Sequence, residues 1–371
     1  MESEFRQADN ILNGVHVIDG GLASELEYLG AKIDGPLWSA HVLEDEPEKV
    51  LDVHRAYVEA GSQCIATCSY QVSRMGYAEV GLKPERADAA LLRSVELARE
   101  AVAQSSEFLR TTGLTRADEN SLAPEGRSTI AQDKPAPAGA VLGNLSTIER
   151  APEGRPALSQ RVSPDRRVLV AGSLGPYGAV LHNGAEYHGN YDCSYNDLVR
   201  FHRERIEVFA NAGGSQRPDL LAFETFPSLE EARAVGEALA DWPELRAWFS
   251  FSCRDEKHAS HGEPVAECAA LVAALPQTVA IGVNCVPPKW IPSLIGELRK
   301  GSGLPILVYP NSGEGWDAAR RCWTGTSEPE EFGTLAAEWF RAGAQIVGGC
   351  CRTRPAHIAA VARAAGQVQR S

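Results

Sequence analysis

AQIVGGCCRT (344–353) runs an apolar, strand-like stretch through two glycines into the adjacent thiols Cys350 and Cys351, and VAIGVNC (279–285) delivers Cys285 in the same way. Adjacent cysteines are poorly placed to bond each other, because a disulfide needs facing Cβ vectors and a narrow geometry. They are well placed to hold a soft metal together with a third thiolate. Three protein ligands rather than four suggest a catalytic zinc with one coordination position left for a substrate. The competing reading is buried cysteine beside tight backbone, with Gly348 and Gly349 admitting a close approach of strand and helix.

Both stretches belong to a pattern that fills the chain: a short β-branched run, a glycine-rich or polar loop, then an amphipathic segment. The candidate strands are 15–19, 64–68, 168–173, 220–224, 248–252, 279–285, 306–310 and 344–349. Helix-like segments follow them, among them 84–102, 196–212 and 228–239, the last with Ser228 as N-cap. Strand–helix alternation on this scale favours an α/β fold of the closed (β/α)8 TIM-barrel type over a doubly wound sheet. A doubly wound sheet would want a dinucleotide turn, and GSLGPYG (172–178) lacks the GxGxxG spacing. The expected organisation is a single barrel domain over 12–368. It is interrupted between the second helix and third strand by residues 111–165, rich in Pro, Gly, Ser, Thr and charge and read as a disordered or loosely folded insertion. Within it, VLGNLSTI (141–148) could form a short ordered piece.

Lys and Arg number 36 against 49 Asp and Glu, a net charge of −13 without blocks of like sign. Such a surface argues against nucleic acid and anionic membranes as partners. The polar start, MESEFRQADN, lacks the apolar stretch of a signal peptide, and no run approaches the length of a membrane helix. Nine cysteines at irregular spacing do not make a disulfide scaffold, which places the chain in a reducing, cytoplasmic compartment. Cys64, Cys193, Cys268 and Cys322 read as small apolar groups. Cys68 and Cys253 lie nearer strand ends and are the candidates for a fourth ligand if the zinc is structural.

In a barrel of this type, functional groups gather where strands end. Asp19, Tyr70, Glu224, Cys285, Cys350 and Cys351 occupy such places. Zinc with three thiolates is a poor activator of water but suits binding a fourth thiol and presenting it as a thiolate. The natural acceptor is a small thiol, and the natural reaction is transfer of an electrophilic carbon to sulfur. Glu224 and Asp19 would meet the ammonium of a thiol amino acid, and backbone amides of Gly20 and Gly21 its carboxylate. Tyr70, with Tyr177, Tyr187 or Trp316, could face a cationic donor. Each of these aromatics could equally serve loop packing, Asp19 a turn, and Glu224 a backbone-satisfied carboxylate.

The chain resembles the zinc-dependent homocysteine S-methyltransferases, a (β/α)8 group. The resemblance is carried by DGGLASELEYLG (19–30), HRAYVEAGSQCIATCSYQ (54–71), GSLGPYGAVLHNGAEYHGNY (172–191), LLAFETFPSLEEA (220–232), IGVNCVPP (281–288), YPNSGEGWD (309–317) and GGCCRTRPAHI (348–358). It implies zinc on Cys285, Cys350 and Cys351, homocysteine held by Asp19, Gly20, Gly21 and Glu224, and Tyr70 in the donor half. The wording of 172–191 and 309–314 is closer to the S-methylmethionine branch, with S-adenosylmethionine as a rival donor. Alternatives are a selenocysteine, selenohomocysteine or betaine-dependent methyltransferase, or a non-enzymatic zinc–thiolate sensor. The insertion has no counterpart in the family pattern, and Ser24 stands where threonine is common.

Overall fold

The computed structural model describes residues 10–33, 37, 40–112, 167–317, 322–324 and 327–370. The strands are β1 (Cys64–Ala66), β2 (Leu169–Leu174), β3 (Leu220–Phe226), β4 (Ala247–Phe251), β5 (Thr278–Asn284), β6 (Ile306–Tyr309), β7 (Gly315–Asp317), β8 (Cys322–Thr324) and β9 (Ile346–Val347). Seven of them form one parallel sheet in the order β1-β2-β3-β4-β5-β6-β9, and β7 and β8 pair as a separate antiparallel ribbon. Every residue of β2, β3 and β5 is buried, as parallel strands covered on both faces require.

The run expected as the first strand forms two isolated parallel bridges instead. Val17 pairs with Val347 of β9 and Ile18 with Cys64 of β1, so this segment touches both edges of the sheet. The β7–β8 ribbon was not anticipated. The expected insertion begins at 111, but a helix spans Pro84–Thr112. The remainder of 111–165, with the 141–148 stretch, lies outside the described residues. Among the described residues, no helix is long and apolar enough to cross a membrane.

Alternation along the strands divides the core in two. Val170, Leu221, Phe223, Phe249, Ile281, Val283, Ile306 and Val308 point to the helices and join the larger cluster. Leu169, Ala171, Leu220, Ala222, Trp248, Ala280, Leu307 and Tyr309 point the other way, into a smaller cluster closed at one end by Leu12 and Val15. The helices are set by local signals. Ser228 accepts the Glu231 amide at 3.2 Å before Leu229–Leu239. Ser194 and Asp197 form a reciprocal cap ahead of Tyr195–Asn211.

His54 sits in the Pro47–Glu59 helix, fully buried, and neither ring nitrogen has a hydrogen-bond partner. Burial pulls its pKa down to about 4. The unfolded chain protonates this ring near 6.5, so between those values the unfolded state binds more protons. The contribution is therefore complete above about pH 6.5 and is lost as pH falls towards 4. His54→Leu is expected to remove this part of the acid sensitivity, on the order of 3 kcal/mol at pH 4. Denaturant titrations of both proteins at pH 7.5 and pH 4.5 measure it; parallel losses of stability would refute the assignment.

Candidate metal centre and substrate site

Strand parity places a layer of polar side chains above the inner apolar cluster. Ser173 continues the Leu169–Ala171 series, Glu224 the Leu220–Ala222 series, and Ser250 follows Trp248. Asn284 continues from Ala280, and Tyr309 from Leu307. All five are at the C-terminal ends of their strands, and all are buried. Cys285 follows directly, and Cys350 and Cys351 follow β9 across Gly348 and Gly349.

The three sulfurs that the sequence singles out converge. Their Sγ atoms lie within 4.8 Å of one another, and Cys285 and Cys351 are 3.4 Å apart. Among the described residues this is the group able to hold a metal, and neither Cys68 nor Cys253 joins it. Hydrogen bonds from Cys350 and Cys351 hold the Cys285 thiol well below the usual thiol range. The same contacts with Cys285 push the Cys350 and Cys351 thiols up. As thiols alone the trio shares a negative charge, and a bound cation is what would let all three ionise.

The backbone reaches this arrangement through left-handed turns. Thr225, Cys285 and Arg352 have φ of 63°, 55° and 64°, conformations uncommon outside glycine. A register shift between Phe223 and Phe226 marks the β3–β4 pairing around Glu224 and Thr225, and such a bulge re-aims a side chain. The Asn284 carboxamide holds it there. Its Oδ1 accepts the Thr225 amide at 2.8 Å and the Ser250 hydroxyl at 2.9 Å, while Nδ2 donates to Thr225 Oγ1 at 2.7 Å. Strain of this kind costs about 1–3 kcal/mol and persists only where surroundings enforce it.

Glu224 accepts the Ser173 hydroxyl at 2.5 Å and is bonded to Tyr309. Burial pushes its pKa up to about 7 against those two hydrogen bonds. Asp19 accepts the Ala66 amide of β1 at 2.8 Å, a bond to a neighbouring segment of the sheet rather than to the turn that follows Asp19. Burial raises it well above the carboxylate range, the Ala66 bond opposes this, and the charge of Glu224 adds to it. The Gly21 amide is taken up by Thr353, at 3.2 Å to O and 3.0 Å to Oγ1. A Cβ on Gly21 would stand 2.4 Å from the Cys350 carbonyl oxygen, and one on Gly20 would meet the Tyr57 ring at 2.8 Å.

Tyr70 lies beyond β1 in the turn after it, not at a strand end. Its carbonyl accepts the Gly175 amide at 2.9 Å, and its hydroxyl is bonded to Thr225 within electrostatic reach of Cys285 and Cys350. Tyr187 brings its hydroxyl to 3.1 Å from Cys285 Sγ. Tyr177 instead packs against Tyr191 and Phe201 at 5.4 and 5.2 Å between centroids, and its amide donates to Glu231. The Trp316 side chain lies outside the described side chains. Ser173, Ser250, Asn284 and Tyr309 were missed by sequence reasoning, although counting alternate residues from Leu169, Trp248, Ala280 and Leu307 would have found them.

A family model described as homocysteine S-methyltransferase matches residues 16–365. The homocysteine S-methyltransferase YbgG of Bacillus subtilis is 38% identical over 93% of this chain and 93% of its own. The homocysteine S-methyltransferase of Escherichia coli K12 is 38% identical over the same shares. The crystal structure of the homocysteine methyltransferase MmuM from Escherichia coli, in its metallated form, superposes with a TM-score of 0.70 at 35% identity, covering 94% of this chain and 96% of that one.

Because the Gly21 contact is with backbone, neither partner can yield cheaply. Gly21→Ala is expected to displace the 349–353 turn, lower stability by about 1–3 kcal/mol and weaken metal binding at least about tenfold. Equilibrium dialysis beside thermal melting checks this; wild-type values for both would show that the close approach is not needed.

Proposed function

The chain belongs to the homocysteine S-methyltransferase family, and on that premise we propose that it transfers a methyl group from S-methylmethionine to L-homocysteine at a zinc ion held by Cys285, Cys350 and Cys351. The observation that carries this reading is the thiol trio beside two buried carboxyl groups. Zinc–thiolate bonds of about 2.3 Å in a tetrahedral site set sulfurs about 3.8 Å apart, compatible with the observed 4.8 Å envelope and 3.4 Å pair. Three protein sulfurs, with no fourth in the cluster among the described residues, suit a catalytic rather than a structural site. The parallel sheet, with both edges bridged by Val17 and Ile18, supports a (β/α)8 barrel whose C-terminal mouth carries these groups.

When bound, zinc supplies the positive charge that lowers the homocysteine thiol pKa and keeps that sulfur a thiolate at neutral pH. The protein supplies position. Glu224 and Asp19 hold the substrate ammonium, and the Gly20 side of the Asp19–Gly21 turn receives the carboxylate, since the Gly21 amide is engaged with Thr353. Tyr70 stands on the donor side, its hydroxyl fixed by Thr225. The thiolate lone pair forms the new S–C bond in line, and the donor's C–S pair leaves with a neutral thioether. Both products are methionine, and the leaving group takes no proton, so no general acid is required. Alignment of this kind is worth roughly 7–11 kcal/mol.

Cys350→Ala is expected to lose stoichiometric zinc and at least about a hundredfold in methyl transfer. Glu224→Gln is expected to keep zinc but raise the homocysteine KM on the order of a hundredfold. Metal analysis and initial rates test both, and full activity of Cys350→Ala without zinc would end the model. A panel of S-methylmethionine, S-adenosylmethionine and betaine at fixed homocysteine tests the donor. Comparable turnover with betaine would overturn that assignment.

A further inference from the structure

Residues 184–191, GAEYHGNY, place a second kind of carboxylate beside the thiol trio. The turn Ala185–Tyr187 follows Gly184, whose φ is 79°. Its backbone is fixed from two sides. The Ser252 hydroxyl, just beyond β4, donates to the Glu186 carbonyl at 3.0 Å. Gly178 lies so close that a Cβ there would stand 2.6 Å from the Glu186 nitrogen. Tyr187, the next residue, reaches Cys285 Sγ at 3.1 Å.

Glu186 Oε2 is buried and has no hydrogen-bond partner. The carboxyl is within electrostatic reach of both Cys285 and the Tyr70 hydroxyl. Burial pushes its pKa up to about 7, a hydrogen bond from its own backbone amide opposes this, and the charge of Cys285 adds to the rise. A buried carboxylate oxygen without a partner is costly, and a bound cation relieves that cost. It is not one of the metal-holding group, which among the described residues is the three cysteines. The homocysteine ammonium has Glu224 and Asp19.

We propose that Glu186 is the counter-ion for the onium charge of the methyl donor. The assignment rests on the methyl-transfer reading above and deepens it: the site recognises a positively charged sulfur, or nitrogen, bearing the methyl group beside Tyr70. The onium charge is present in the bound donor, fades as the methyl moves to the thiolate, and is absent from the thioether product. Attraction to Glu186 is therefore strongest before transfer and gone after it. An interaction of that kind lowers KM without raising kcat, and it releases the neutral product.

The test is Glu186→Gln, isosteric and uncharged, in the zinc-loaded full chain. The donor KM and its Kd by calorimetry are expected to rise on the order of tenfold or more, with kcat within about threefold of wild type. Homocysteine KM and zinc content stay unchanged. The Tm does not fall, because the charge removed has a buried oxygen that no protein group satisfies. Methionine carries the ammonium but no onium charge; its inhibition competitive with S-methylmethionine, at saturating homocysteine, is expected to be unaltered. Unchanged donor affinity overturns the proposal. Equal weakening of donor and methionine also overturns it, by assigning the carboxylate to the ammonium, and so does a selective loss of homocysteine affinity. If the wild-type enzyme uses S-adenosylmethionine or betaine instead, the donor named above fails, and the same comparison made with that onium compound still decides for or against Glu186.

Discussion

The carboxamide of Asn284 is the interaction on which the site's geometry depends. One side chain at the end of β5 fixes the amide and hydroxyl of Thr225 after β3 and the hydroxyl of Ser250 on β4. Its Nδ2 also lies 3.9 Å from Cys350 Sγ. Four chain segments distant in sequence are thereby tied within one buried layer. The left-handed Thr225 is held by two of those bonds, and Glu224 precedes it in the bulge. A residue that touches neither carboxyl group thus determines where Glu224 points. Cys285 is the next residue after Asn284, so the same anchor sets the start of the turn that carries the first of the three thiols. Buried networks of this type are stable only when every member is satisfied, which is why the amide's donor and acceptor are both engaged.

Much of this was legible in the sequence because the signals are local. Seven of the eight apolar runs mark the strands of the sheet, and the runs ending GVNC and GGCC mark the thiols. Ser228 as a cap follows from its position before an amphipathic run. The rest depends on partners far along the chain. Whether 15–19 is a strand or a bridging segment is decided by β1 and β9 together, and no local pattern reports that. Tyr70 reads as a strand end until the β2 loop is seen to pull its carbonyl toward Gly175. The amides of Gly20 and Gly21 look equivalent in the DGG motif, yet Thr353 occupies one of them. Tyr177 and Tyr187 are alike as loop aromatics, and only packing sends one to Phe201 and the other to Cys285.

The inner layer also has a consistent electrostatic sense. Burial raises Asp19, Glu224 and Tyr309 first, and charge adds to it: Glu224 on Asp19, Cys285 on Glu224, and Glu224 and Cys350 on Tyr309. Burial disfavours each anion, and each anion makes the others harder still to form. Such a cluster holds its protons in the absence of cations and gives them up when cations bind. In the proposed reaction three cationic groups arrive: a metal ion at the thiols, an ammonium at Glu224 and Asp19, and an onium centre near Glu186. Each arrival lowers the pKa of the remaining acids and so prepares the site for the next. Reaction then removes one of the three together with the negative charge of the thiolate, because methyl transfer turns an onium cation and a thiolate into two neutral thioethers. The step leaves the net charge of the loaded site unchanged but takes the cationic partner away from Glu186, so a site whose buried acids ionise only against cations is suited to capturing cationic donors and letting neutral products go.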